Sequence, residues 1–360
     1  MTISYGLISD QHYANWNSFS TTDINRLNSR LKIQLDATIE AAKAIKAAGA
    51  EWMFCAGDTF HVRGSINPTV LHFVTETYKT IINDIGLKVA MLAGNHDLET
   101  NDSVYSANAA SSLEAIGVQI VCGRPWSVQI GDLWVHMVSW RNSHAALLSD
   151  LKTLRKTLAG DNHHVIIHVG INDAIPTMPN VGVEAQDLKD LGFRMVFSGH
   201  YHNHKEIIPG VVSVGALTHQ NWGDVGTLAG YLLVDEDATF EHHETSAPKF
   251  INLEEGIDEA EIKGNYIRYR ATIESDEDGI RLKNVLNSLG AKGVVTNFIK
   301  KSSLVVAGAS TAETSKIDSL KESVSAYCKI MSDTDAGIDL IKLDSLCNEI
   351  LTEAEMGAID

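Results

Sequence analysis

Five short fragments gather acidic, amide and imidazole side chains beside small residues: Asp10-Gln11-His12, Gly57-Asp58, Gly94-Asn95-His96-Asp97, His168 and Gly199-His200-Tyr201-His202. Each closes an apolar run that reads as a β-strand. Together they supply enough oxygen and nitrogen donors for two metal ions. Carboxylate, amide and imidazole in one set exclude a thiolate site and suit Mn2+, Fe or Zn2+. Asp58 is the candidate for a carboxylate shared by both ions. Two ions ~3.5–4 Å apart can hold a hydroxide between them and support both the entering and the leaving oxygen at phosphorus. Hydrolysis of a phosphate ester is the chemistry to expect.

Such donors must be delivered by a scaffold, and the first half of the chain alternates strand and helix patterns. Residues 3–9 form a short apolar run. Residues 24–48 follow with Leu27, Leu31, Leu35, Ile39, Ala42 and Ile45 at helical spacing. Residues 51–56, 68–85 and 87–93 repeat the strand–helix–strand order, with Pro68 in a first helical turn and Asn67 as its N-cap. Alternation of this kind argues for parallel strands joined by right-handed crossovers. Donors just beyond strand C-termini then converge on one edge of the sheet. Gly57 and Gly94 leave room for the backbone to come close to the metal centre. Later runs at 126–130, 133–140, 165–169, 195–197, 211–214 and 231–234 are short, with tight connections, and predict a second, mixed sheet packed on the first.

All 15 histidines and all six tryptophans precede residue 244, and Ala247-Pro248 follows. This shift places a boundary near residue 250, with catalytic chemistry confined to residues 1–248. Residues 249–335 read as a small α+β capping domain, with strands at 266–273 and 293–299 and helices at 278–289 and 315–331. Residues 336–360 hold an acidic amphipathic helix, 339–356, with Leu340, Ile341, Leu343, Leu346, Ile350 and Leu351 on or near one face.

With 44% hydrophobic and 21% charged residues among 360, a large core is available. No apolar run approaches the ~18 residues that span a bilayer, so a cytoplasmic protein with no membrane partner is expected. Cys55, Cys122, Cys328 and Cys347 form no CxxC pair and read as structural thiols in a reducing compartment. The net charge of −17 counts against tight autonomous binding of DNA, a polyanion that draws on basic surfaces.

The set DxH, GDxxH, GNHD, His and GHxH resembles the calcineurin-like metallophosphoesterase superfamily. Gly57-Asp58-Thr59-Phe60-His61, with His168-Val169-Gly170 and Gly199-His200-Tyr201-His202, is most similar to SbcD-type nucleases of DNA double-strand-break repair and recombination. Asn28-Ser29-Arg30-Leu31 looks like their phage-type branch. The resemblance spans roughly residues 3–215. It implies an α/β fold of two mixed β-sheets sandwiched between helices (αββα). It puts Asp10, His12, Asp58 and His202 on one ion, and Asp58, Asn95, His168 and His200 on the other. His96 would be the non-ligand imidazole that protonates the leaving oxygen, an effect of ~10²–10⁴-fold, with Asp97 orienting it and His61 near the phosphate. The family follows DxH with leucine and glycine, whereas this chain has Tyr13-Ala14-Asn15, so the segment to Thr22 can shape the substrate channel.

Other residues carry blander expectations. His204 reads as a solvated loop residue, and His163 and His164 as flanking a turn. His72, His136, His144, His219, His242 and His243 read as structural or surface positions. Arg63, Arg124, Arg141 and Lys205 lie near the motifs in sequence, and Arg63 is the best candidate for touching a DNA backbone. Gly223–Gly230 lacks the lysine and the strand–helix setting of a nucleotide loop.

Three functional readings follow. The resemblance implies a Mn2+-dependent DNA nuclease, exonuclease on duplex ends and endonuclease on single strands. It would act as a homodimer with an SbcC-type ATPase, docked through the C-terminal helix. A small-molecule phosphodiesterase or phosphomonoesterase keeps the chemistry and changes the substrate. A non-catalytic scaffold for an ATPase is the third, and the presence of His96 with every expected ligand speaks against it.

Overall fold

The structure is a computed structural model. It describes residues 3–61, 63, 65–100, 108–175, 181–254, 256–300, 324–325, 327–329 and 339–347. The chain divides into two compact units, Met1–Lys301 and Ser302–Asp360.

In the first unit the strands are β1 (Ile3–Ile8), β2 (Trp52–Cys55), β3 (Lys88–Leu92), β4 (Gln119–Val121) and β5 (Trp126–Ile130). Next come β6 (Leu133–Val138), β7 (His163–His168), β8 (Met195–Gly199), β9 (Lys205–Ile208) and β10 (Val211–Ser213). The last five are β11 (Tyr231–Asp235), β12 (Phe240–His243), β13 (Phe250–Glu254), β14 (Tyr266–Ile273) and β15 (Gly293–Lys300). The helices are α1 (Ser29–Ala47), α2 (Pro68–Lys79), α3 (His144–Lys156), α4 (Ala185–Lys189), α5 (Glu259–Ile262) and α6 (Asp276–Ser288).

One six-stranded sheet has the order β12-β11-β1-β2-β3-β4, and a second has β5-β6-β7-β8-β10-β9. In the first, β1 to β4 run parallel and β11 and β12 antiparallel. In the second, β6, β7, β8 and β10 are parallel between antiparallel edges. The period-2 alternation of strands decides what each face meets. Met53 and Cys55 join the cluster with Leu31, Ile45 and Val74 of α1 and α2. Phe54 and Ala56 join Tyr5 and Leu7 against Met137, Ile166 and Phe197 of the second sheet. The far face of the second sheet packs Val165 and Ile167 on Leu147, Leu151 and Leu188. The result is helix, sheet, sheet, helix, the expected α/β architecture. Each fully buried Leu, Ile or Phe stabilises it by ~1.5–3 kcal/mol.

Helix starts follow local chemistry. Asn67 Oδ1 accepts Thr69 N at 2.9 Å ahead of Pro68, as the sequence predicts. The first long helix begins at Ser29, not at 24, because Asn28 Oδ1 accepts Arg30 N and Leu31 N and fixes the N-terminus there. Thr80–Ile85 continues α2 as a wider π-turn. A third sheet, β13-β14-β15, is all parallel. Its strand β13 has no counterpart in the sequence expectation.

In the second unit, residues 324–325, 327–329 and 340–347 are helical. Most of the helix expected at 315–331, and the end of that at 339–356, lie outside the described residues. Ile341 and Leu346 are 82% and 54% exposed. Among the described residues no helix is long and apolar enough to cross a membrane.

Candidate metal centre

The ladder between β1 and β2 continues past the sheet edge: Asp10 N donates to Gly57 O (3.0 Å), His12 N to Asp58 O (3.0 Å) and Tyr13 N to Thr59 O (2.9 Å). This brings DxH alongside Asp58. Asp10, His12, Asp58 and His200 all have positive φ, 51°, 47°, 53° and 102°. Non-glycine residues held there cost of order 1–3 kcal/mol each, and such strain collects where side chains must be aimed. The loop after β3 can approach because residue 94 is glycine. A Cβ there would stand 2.2 Å from Asp58 Oδ1.

The donors form two groups. Asp10, His12 and His202 place one ligand atom each within 4.8 Å of one another, and so do Asp58, His168 and His200. Asn95 Oδ1 joins the second group at 3.1 Å from His168 Nε2 and 3.0 Å from His200 Nδ1. Asp58 Oδ2 links the groups, 3.5 Å from His12 Nε2 and 3.3 Å from His168 Nε2. Its Oδ1 accepts His96 N at 2.8 Å.

These donors fit cations. His168 Nδ1 contacts Ala56 O at 2.7 Å, so in the neutral ring Nε2 carries a lone pair and faces Asn95 Oδ1 and Asp58 Oδ2. His202 Nδ1 contacts Asp224 Oδ1 at 2.9 Å, and its Nε2 meets His12 Nε2 at 3.3 Å. Lone pairs converging at 3.0–3.9 Å repel unless a positive charge lies between them. Separations near 3 Å are those of neighbouring ligands ~2.0–2.2 Å from one ion. The carboxylates draw positive charge to the same place. Burial opposes charge on His168, yet Asp58 and Asp10 outweigh it and lift its pKa to about 9. Burial likewise works against Asp58, but His168 and His12 hold its carboxyl well below the usual carboxylate range. His200 is pushed down to about 3 by burial and by His168, a neutral ring suited to ligation.

A further set of side chains holds the donors. Ser9 Oγ donates to Asp10 Oδ2 (2.5 Å), and the Asp10 carboxylate also accepts His200 N at 3.0 and 3.2 Å. Gln34 of α1 donates to Gln11 O (2.8 Å) and His12 O (3.2 Å), and Gln220 to Asp10 O (2.6 Å). Asp224 was not anticipated. It sits in a glycine-flanked segment far from the motifs in sequence, where only the tertiary fold reveals its role.

His96 lies beside the donors and outside both groups. Its Nδ1 contacts His61 O at 2.8 Å, and its ring centroid is 4.8 Å from that of His12. The partner that orients it is therefore the His61 carbonyl, a correction to the role expected of Asp97. The Asp97 carboxylate accepts Thr59 N (3.2 Å), Phe60 N (3.0 Å) and Gly94 N (3.0 Å), pinning the loop after β2 to the loop after β3. Burial and the nearby Asp58 raise its pKa to about 7. His61 Nδ1 stands 3.4 Å from His12 Nδ1. His12, His61 and His96 also cluster as three imidazoles. His12 is engaged through Nε2 with Asp58 Oδ2, and His96 through its Nδ1 contact.

Arg63 is exposed on the loop after His61. Arg141 corrects its expectation: it is buried, with Nε on Asp150 Oδ2 (2.7 Å) and its guanidinium also on backbone carbonyls of Ser139 and Trp140. His163 and His164 are the first residues of β7, fully or nearly buried. His163 Nδ1 contacts His136 Nε2 at 3.0 Å. His204 is not a solvated loop residue, since its ring stacks on His242 at 4.3 Å and 8°.

Residues 3–204 match the family model described as calcineurin-like phosphoesterase (Metallophos), and the chain belongs to that family. It is a metal-dependent phosphoesterase, a hydrolase whose family binds two divalent metals. No curated protein sequence matches it. Solved structures with a similar backbone include a provisionally named 5'-nucleotidase from Staphylococcus aureus, with TM-score 0.40 and 13% identity over 67% of this chain. The chain spans about half of that protein, 52%. A dimetal phosphatase from Danio rerio has TM-score 0.41 and 11% identity over 64% of this chain and 91% of its own.

Proposed function

We propose that this phosphoesterase is a Mn2+-dependent DNA nuclease of SbcD type, exonuclease on duplex ends and endonuclease on single strands. One observation carries the diester chemistry: Asp58 Oδ2 stands between two donor groups, with His96 beside them and in neither. The GDxxH motif supports the nuclease assignment, because its His61 shares the ring cluster of His12 and His96.

Asp10, His12, Asp58 and His202 would hold one ion, and Asp58, Asn95, His168 and His200 the other. The bound ions supply positive charge that neutralises the phosphate and lowers the pKa of water at the centre. The chain does the rest. Asp224 and the Ala56 carbonyl fix the ligand tautomers of His202 and His168. His96, as the imidazolium, keeps Nδ1–H on His61 O and gives its Nε2 proton to the leaving oxygen. Arg63, exposed beside His61, would contact the DNA backbone.

A net charge of −17 repels a polyanion. A homodimer joined to an SbcC-type ATPase that carries the basic DNA surface reconciles that charge with the substrate. The exposed Ile341 and Leu346 support docking of such a partner on the C-terminal helix. The same net charge favours the second reading, a small phosphate ester as substrate. Digestion of end-labelled single- and double-stranded DNA with Mn2+, with His96→Ala as control, decides between them. Cleavage of a chromogenic diester without cleavage of either DNA selects the second reading.

A further inference from the structure

A cavity of about 390 Å3 opens beside the metal centre, lined by Tyr13, Asn15, Trp16, Phe60, His61 and Asn67 among others. Its size lies within the range of small-molecule sites, ~300–1,000 Å3. His61 belongs to both places. Its ring lies 5.6 Å from that of His96 at an interplanar angle of 13°, and Trp16 lies 4.6 Å from it on the cavity side. Three rings thus run from the proton donor into the cavity.

The walls are set before any ligand arrives. Tyr13 and Phe60 are buried, and Tyr13 Oη is 2.6 Å from Thr38 Oγ1. Trp16 donates Nε1–H to Gln34 Oε1 (3.2 Å) and carries the Arg30 guanidinium 4.7 Å from its ring centre. Exposed amides, Asn15 and Asn67, stand at the mouth. Asn67 Oδ1 is taken by Thr69 N, so its amide offers N–H donors. Among the described residues no lysine or arginine lines the cavity. Flat apolar walls with amide edges and no cation suit an uncharged planar heterocycle, while the phosphate is left to the metal centre.

We propose that this cavity is a nucleobase subsite, which takes the unstacked base of the nucleotide on the leaving-oxygen side of the scissile phosphate. The proposal rests on the nuclease reading and specifies its substrate contact. Because His96 faces the leaving oxygen, the base attached on that side falls next to His61 and Trp16. Base–aromatic contact of this kind is worth about 10-fold or more in binding.

The test uses dinucleoside monophosphates with a single scissile bond, with either base replaced by hydrogen, and bis(p-nitrophenyl) phosphate as a base-free diester. The full chain with Mn2+ should lose about 10-fold or more in kcat/KM when the leaving-side base is missing. Loss of the opposite base should change little. Trp16→Ala removes a wall and Ile66→Trp fills the cavity, and in both variants the ratio of intact to base-deleted substrate should fall toward one. Equal effects of either base, no effect of both, or an unchanged ratio in both variants overturns the subsite alone. Hydrolysis of the chromogenic diester with no cleavage of dinucleotide or DNA overturns the nuclease reading beneath it.

Discussion

Asp224 Oδ1 lies 2.9 Å from His202 Nδ1, a carboxylate–imidazole pair that turns the ring's other nitrogen toward His12. Burial works against a proton on His202, but the hydrogen bond and charge of Asp224 outweigh it and raise its pKa. Asp224 is itself fixed, because its Oδ2 accepts Gln220 N (2.6 Å) and Asn221 N (3.0 Å).

Asp224→Asn keeps the size of the side chain and removes its charge. Loss of such an outer partner costs ~10–100-fold in metal affinity. Titration calorimetry with Mn2+ should show one of two binding events weakened to that extent. Two unaltered events would show that Asp224 does not tune the ligand.

His96→Ala should retain both metals and lose ~10²–10⁴-fold in phosphodiester hydrolysis, the share of a positioned proton donor. Metal content by mass spectrometry and turnover of a diester measure the two effects separately. Parallel loss of metal and turnover would make His96 a ligand.

Stability should fall in acid through His164. This ring is wholly buried, contacts Tyr5 Oη through Nδ1 (2.9 Å), and is pushed down to about 3 by burial and by Arg194. Its folded pKa lies below the ordinary 6.5, so between pH 6.5 and about 3 the unfolded chain takes up the proton and the folded one does not. Its contribution is complete above pH 6.5 and is lost as pH falls, at up to ~1.4 kcal/mol per unit. His164→Asn keeps a hydrogen-bonding partner for Tyr5. Urea midpoints at pH 7 and pH 4.5, taken with metal removed, should differ less in this variant than in the parent chain. An equal difference would place the acid sensitivity elsewhere.

Deleting residues 339–360 should leave cleavage of short substrates intact and abolish co-purification with an ATPase partner. Unchanged co-purification would reject the docking helix.

The convergence of the candidate donors was legible because each fragment is a local event, a polar residue closing an apolar strand run beside a small residue. The two sheets were legible for the same reason, since period-2 patterns survive in a single sequence. What escaped depends on distant segments meeting. Asp224 reaches His202 across 22 positions, and the His61 carbonyl, invisible in a residue code, takes the place expected of Asp97. His163 and His164 look like residues flanking a turn until their neighbours show a strand with both faces covered. Strand β13 alternates too weakly to stand out without β14 beside it.

The central claim is that Asp58 is shared by two cations. Anomalous diffraction from crystals soaked in Mn2+ tests it most directly. Two manganese peaks ~3.5–4 Å apart, one on each side of the Asp58 carboxylate, are predicted. A single peak, or two that leave Asp58 outside the coordination of either, would contradict it.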